Sequence, residues 1–224
     1  MSPRGTECTI RLRLYRILGK LKRLAAVRGI LYVLTRFGGP VGRRIAFDQY
    51  YRTGQWDYLD KNHSEEMVRL VEKYARGGRI LDMGCGIGVL ASRLADDSYE
   101  YYRGIDTSSE AIDRARKRAS KKIGFEVGDI QNYRCDESFD VIVFEDSLYY
   151  VPFFRRRLLK RYARRLRPDG VFVVTVAHPE RFARMIRMIR RNFEMLEDRV
   201  SPKGKRAYLV FRSTTACPTK GKCH

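Results

Sequence analysis

No stretch of this chain reaches the roughly 18 consecutive apolar residues that a membrane-crossing helix needs. The N-terminus does not read as a secretory signal, because Arg11, Arg13 and Arg16 interrupt its apolar stretch. The cysteines Cys8, Cys85, Cys135, Cys217 and Cys223 include no C-x-x-C pair, which argues against a disulfide framework. No metal-ligand set is read from the sequence, and a reduced, cytoplasmic protein is the expectation. Acidic residues are scarce: 26 Asp and Glu stand against 46 Lys and Arg, a formal net charge of +20. That excess implies attraction to nucleic acid, anionic lipid or an acidic substrate, and says nothing of the fold. The basic residues run through the whole chain, so a solvated Arg-rich surface accounts for them equally.

With 224 residues, 44% of them hydrophobic, the chain suits one α/β domain with a terminal extension. Residues 10–28 follow a helical period. Ile10, Leu14, Ile17, Leu18, Leu21, Leu24 and Ala25 share one side, and Arg11, Arg13, Arg16, Lys20, Lys22 and Arg23 the other. Such a helix either caps the domain or lies on an anionic membrane surface. Phe37-Gly38-Gly39-Pro40 is expected to end the segment. Phe47 to Asp60 reads as aromatic and irregular, and it holds the single tryptophan, Trp56. Ser64 then N-caps a helix to about Ala75, with Glu65 and Glu66 in its first turn and Gly77-Gly78 as terminator.

From Arg79 onward strand and helix patterns alternate. Strands are expected at 80–83, 101–105, 125–127, 139–144 and 171–176, and helices at 89–95, 109–121, 153–166 and 180–191. Phe139 to Phe144 is almost continuously apolar, the mark of a strand buried on both faces. Arg167-Pro168-Asp169-Gly170 reads as a turn, and two last strands fall at 193–200 and 207–211. The pattern predicts a doubly wound, mostly parallel sheet. It divides the chain into a basic extension (1–45), a domain (46–212) opening with a lid-like segment (46–63), and a polar tail (213–224) expected to be disordered.

The densest signal is Arg79 to Val89, a short apolar run, an acid and three alternate glycines. Nucleotide-binding turns of this kind carry G-x-G-x-x-G, and the third glycine counted from Gly84 falls on Val89. Asp82 at the strand tip would repel a pyrophosphate, which prefers helix-terminal N–H groups and positive charge. It suits a ligand with cationic groups. Leu81-Asp82-Met83-Gly84-Cys85-Gly86-Ile87-Gly88 resembles motif I of the class I S-adenosylmethionine-dependent methyltransferases, whose cofactor has no phosphate and carries an ammonium and a sulfonium. Asp106 follows the loop at the spacing of a carboxylate that takes both ribose hydroxyls. Asp129 can accept from an adenine amino group while the Ile130 N–H reaches a ring nitrogen. Glu145 stands over the methionine end. Asp106 and Asp129 also fit as helix or turn caps.

Phe139-Asp140-Val141-Ile142 and Leu166-Arg167-Pro168-Asp169-Gly170-Val171 resemble later motifs of the same family, so the resemblance covers residues 64–212. It implies S-adenosyl-L-methionine as cofactor and a seven-stranded Rossmann-like sheet in the order 3-2-1-4-5-7-6, with strand 7 antiparallel. It also implies cofactor contacts from Asp82, Met83, Gly84, Cys85, Gly86, Gly88, Asp106, Thr107, Asp129, Ile130 and Glu145. Gly54 to Leu59 resembles the segment with which small-molecule methyltransferases cover the cofactor. Trp56 and Tyr58 therefore either close over it by aromatic and cation–π contact or pack the N-terminal helix on the domain.

Methyl transfer is an in-line displacement in which the sulfonium charge vanishes, so positioning supplies much of the rate. A base is needed only where the acceptor loses a proton. His178, after the fifth strand, is the candidate base, or else caps the next helix; His63 is a weaker candidate. Asp146, Tyr149 and Tyr150 complete the acceptor end, with one tyrosine expected in the core. The segment Glu145-Asp146-Ser147-Leu148 lacks the N/D-P-P-Y/F signature of enzymes that methylate exocyclic amines. A small-molecule, sugar or lipid-linked acceptor methylated on O or N is expected; residues 10–28 would give a peripheral contact to anionic membrane where they lie on that surface instead of capping the domain. RNA methylation is the alternative that the charge favours, and cofactor binding without turnover is a third reading.

Overall fold

Successive side chains along the central strands point to opposite faces and are buried on both, building two cores, one on each side of a single sheet. The computed structural model describes residues 25–56, 64–151 and 153–214, with the backbone alone for 25–28. The stripe over 10–24, Tyr58, His63 and the tail from 215 lie outside the described residues. The elements are α1 (Ala25–Phe37), α2 (Gly39–Arg52), α3 (Glu65–Ala75), β1 (Arg79–Met83), β2 (Tyr101–Asp106) and α4 (Ser109–Ala115), followed by β3 (Ile123–Val127) and β4 (Phe139–Glu145). Then come α5 (Arg155–Ala163), β5 (Leu166–Ala177), α6 (Ala183–Asn192), β6 (Glu194–Val200) and β7 (Arg206–Arg212). The sheet runs β3-β2-β1-β4-β5-β7-β6, with β7 antiparallel to both neighbours and the first five strands parallel. This is the order the resemblance implied.

On one face Val141, Val143, Val171 and Val173 pack with Met67, Leu70 and Val71 of α3. On the other, Ile142, Phe144, Phe172 and Val174 meet Leu158 and Leu159 of α5 and Met185, Ile186 and Ile189 of α6. Each such side chain contributes about 1.5–3 kcal/mol on burial. The continuous apolar run of β4 thus serves both cores. Ser64 caps α3 as its sequence suggests, accepting from the Met67 N–H at 3.4 Å, and Arg76 and Gly77 end the helix in left-handed conformations.

Four local expectations are corrected. Residues 89–95 form a run of turns instead of a helix. Gly86 and Gly88 hold positive φ, so helical geometry starts late, and the Ala95 N–H donates to the Glu72 carboxylate, closing the segment. Too few residues remain to offset helix nucleation. The expected helix over 109–121 is regular only to Ala115 and ends in a 3₁₀ turn at Arg116–Arg118. Gly39-Pro40 starts α2 where an end was expected, with Pro at the first turn, so Phe47 to Arg52 is helical. Arg167 to Gly170 is absorbed as a bulge inside β5: Phe139 pairs with Leu166 while Val141 pairs with Val171.

Candidate active site

The carboxyl ends of the central strands open on one cavity of about 500 Å³, within the range of about 300–1,000 Å³ typical of small-ligand sites. Its floor is the turn after β1. Gly84 and Gly86 have φ of 92° and 55°. A Cβ on Gly86 would stand 2.7 Å from the Tyr51 hydroxyl, and one on Gly84 would stand 2.5 Å from the Ser147 Cβ. The backbone there runs closer to α2 and to the loop after β4 than any side chain permits. The N–H groups of Gly84 and Cys85 donate to the Ile105 carbonyl, and that of Gly86 donates to Asp106 Oδ2 at 2.9 Å. Met83 and Gly88 lie behind the wall, not on it. The Met83 side chain belongs to the core and its carbonyl accepts from the Ser147 hydroxyl, while Gly88 makes room for the Phe125 ring.

Three acids meet at this floor. Asp82 Oδ2 accepts from the Tyr102 hydroxyl at 2.5 Å, whereas the buried Oδ1 has no partner among the described residues. Burial pushes the Asp82 carboxyl up to about 7 against the pull of the Tyr102 hydrogen bond. A buried acceptor left unmade is costly, so Oδ1 is ready for a donor that enters the cavity. Asp106 takes the N–H groups of Ser108 and Gly86 on its two oxygens; burial raises it to about 6 and those bonds oppose the rise. Glu145 is raised to about 8 by burial, then by Asp82 and Asp146, against Arg206 at 3.8 Å.

Asp129 and Ile130 also line the cavity, as does Thr107. Both Asp129 oxygens are gripped by Arg43 of α2, at 2.6 and 2.9 Å. The carboxylate assigned to an adenine amino group is therefore already half of a bidentate ion pair. Helix α2 is fixed above the cavity by Asp48, which accepts from the hydroxyls of Ser108 and Ser109 and from the Glu110 N–H. That carboxylate caps α4 from a helix some sixty residues away in sequence. Phe47, Tyr51, Trp56 and Tyr150 complete the roof: Tyr51 meets Trp56 edge-on at 5.0 Å and Phe47 meets Tyr150 at 5.4 Å between centroids. Trp56 thus both packs α2 and faces the cavity.

At the far end Asp146 holds φ 48°. Its Oδ1 accepts from the Ala177 N–H at 2.8 Å and its Oδ2 pairs with Arg206 at 2.7 Å, so the carboxylate ties β4, β5 and β7 together. Tyr149 and Tyr150 both line the cavity, and neither is wholly in the core; Tyr149 stacks on Phe182 at 4.5 Å. His178 sits at the mouth with φ 53°, and its side chain makes no capping hydrogen bond. Its Nδ1 is 3.5 Å from Glu180. Arg43, Phe47, Tyr51, Ser147, Lys205 and Arg206 line the cavity without having been singled out in the sequence. Pro40 at a helix start was the available signal for the first three. Lys205 and Arg206 arrive only through the antiparallel pairing of β7 on β5.

With this geometry, residues 75–218 match the family described as a methyltransferase domain. The match covers more than half of the chain, which therefore belongs to that family. The chain is similar to 27-O-demethylrifamycin SV methyltransferase of Amycolatopsis mediterranei, 34% identical over 129 residues covering 52% of this chain and 47% of that one. It is also similar to the ubiquinone biosynthesis O-methyltransferase of Neisseria meningitidis, at 30% over 159 residues, 64% of this chain and 63% of that one. The chain thus spans about half to two thirds of these relatives' lengths. The fold is shared with the N-methyltransferase NodS of Bradyrhizobium japonicum in complex with S-adenosyl-L-homocysteine (TM-score 0.57, 23% identity, 67% of this chain and 85% of that one). It is shared too with a TehB-like methyltransferase of Corynebacterium glutamicum (TM-score 0.60, 22% identity, 75% and 98%).

Proposed function

We propose that the cavity binds S-adenosylmethionine and that the protein transfers its methyl group to an O or N atom of a small-molecule, sugar or lipid-linked acceptor. The observation that carries this reading is Asp82 Oδ1, a buried carboxylate oxygen without a partner among the described residues, which fits an ammonium. Asp106, pinned by two N–H groups, has lone pairs left for ribose hydroxyls. Asp129 would share its carboxylate between Arg43 and an adenine amino group. Glu145, its carboxyl raised to about 8 chiefly by burial, stands beside Asp82 at the methionine end.

When bound, the cofactor supplies a methyl on a sulfonium, which passes to a lone pair of the acceptor as the sulfur takes back the bonding electrons and becomes neutral. The chain's own part is to orient and to exclude water, which the aromatic roof of Phe47, Tyr51, Trp56 and Tyr150 does. His178 at the mouth is the group able to take a proton from an acceptor O–H or N–H; Asp146 is committed to Arg206 and Ala177. The relatives named for O-methylation support a small-molecule acceptor. The charge of +20 favours RNA as the second reading. Transfer of labelled methyl to metabolite, lipid and RNA fractions decides between them. Label in the metabolite or lipid fraction is expected, and label confined to RNA overturns the acceptor class. Cofactor binding with no transfer to any fraction would leave a binding protein, not an enzyme.

A further inference from the structure

Helix α1 is apolar on two sides. Leu31 and Leu34 pack on Ala46 and Ile45 of α2. Ile30, Val33 and Phe37, spaced three and four residues apart on the adjoining side, are all more than half exposed, Phe37 at 65%. A surface helix ordinarily turns polar residues outward, and one whose apolar arc runs past the face it buries leaves apolar surface uncovered. The loop before α5 adds to it. Phe153 is 58% and Phe154 71% exposed, and Phe154 holds a left-handed φ of 59° that turns its ring outward. Phe37 and Phe153 stand 6.2 Å apart between centroids, so helix and loop form one patch.

Cations ring this patch. Arg157 lies over the Phe154 ring at 5.3 Å and Arg36 over Tyr32 at 5.1 Å. Helices α5 and α6 contain no acidic residue. Their apolar sides face the core, and Arg156, Arg157, Lys160, Arg184, Arg187 and Arg191 are exposed. Phe182, at the start of α6, stacks on Tyr149 of the same loop. The basic helices therefore flank the aromatic loop.

We propose that this surface docks on an anionic lipid bilayer, with Ile30, Val33, Phe37, Phe153 and Phe154 entering the acyl boundary and the arginines on the headgroups. Exposed aliphatic and phenyl groups within a cationic border match a surface that is anionic outside and apolar beneath. Nucleic acid would satisfy the arginines but leave Ile30 and Val33 in water. Tyr149, Tyr150 and Val151 of the same loop line the cavity, so docking sets the cavity mouth against the membrane. That an acceptor dissolved in the bilayer is then delivered to the mouth rests on the methyltransferase reading; the docking itself does not.

The test is co-sedimentation of the full chain with vesicles of phosphatidylcholine alone or mixed equally with phosphatidylglycerol, at physiological salt. The comparison is a variant carrying Phe37→Ser, Phe153→Ser and Phe154→Asn. Asn is at ease at the left-handed φ, and all three rings are exposed, so the thermal midpoint should hold; that check needs no cofactor and keeps failure here distinct from failure of the proposed activity. The wild type should partition onto the anionic vesicles and the variant at least ~10-fold less. Equal partitioning of the two proteins overturns the proposal. So does a wild type that binds neither vesicle, one that self-associates through these rings, or one that binds only RNA and loses nothing with the rings.

Discussion

The two halves of the cavity are built on opposite plans. The cofactor half rests on β1, β2 and the glycine turn, with Asp82 and Asp106 buried and the backbone approaching to distances only glycine permits. The acceptor half is made of loops, with His178 exposed at the mouth and Asp146 spent on holding three strands together. The half proposed for the cofactor is fixed by buried hydrogen bonds and close backbone contacts. The other is opened by loops anchored to the sheet through Asp146, with its exposed side chains, such as His178, free of that anchoring.

Asp82→Asn probes the contrast most severely. It keeps the shape and the Tyr102 contact but removes the charge, and calorimetry should show cofactor affinity down by roughly 100-fold, about 3 kcal/mol. The thermal midpoint at neutral pH should stay level or rise, because folding no longer has to bury a carboxyl that is ionised in the unfolded chain. A parallel fall in midpoint and affinity would make Asp82 structural.

The pH dependence is expected next in size. The raised carboxyl of Asp82 keeps its proton up to about pH 7 in the free protein. The folded state therefore binds more protons than the unfolded one between the ordinary Asp value and about 7, and stability falls as pH rises through that window. Binding of a cation selects the ionised form, so affinity moves the opposite way. It should weaken about 10-fold or more from about pH 8 to about pH 5.5, with proton release near neutrality. A flat profile would deny Asp82 its cationic partner.

Gly86→Ala forces a side chain into a left-handed backbone and against the Tyr51 hydroxyl. A loss of about 1–2 kcal/mol in stability is expected, with about 10-fold weaker binding. Adding Tyr51→Phe should restore part of it, since only the contact is relieved. The smallest effect belongs to His178→Ala. Its side chain is 58% exposed at the mouth, so cofactor affinity should stay within about twofold. A tenfold change would mean that the two halves are not separate.

This division also explains what was legible in the sequence. The glycine turn is local: an acid, three glycines and a strand end lie within one short segment, and the near-continuous apolar run of β4 announces a doubly buried sheet. Asp82 is read from that segment, and Asp106, Asp129 and Ile130 from the ends of the next two strands; all four line the cavity. Long-range partners were not legible. Arg43 meets Asp129 across 86 positions and Asp48 caps α4 across 60, and no periodicity encodes such pairs. Two local signals were also misread. Gly39-Pro40 served as a helix start, and Arg167 to Gly170 as a bulge, because the tertiary partners of those segments decide which use the same residues serve.

The central claim is that the β1 end holds a cationic, adenosine-bearing cofactor. Calorimetric titration of the wild-type protein with S-adenosylmethionine at about pH 8, alongside Asp82→Asn, tests it most directly. The account predicts saturable binding at one site per chain, with most of the affinity lost in the variant. No binding to the wild type, or equal binding by both proteins, would contradict it.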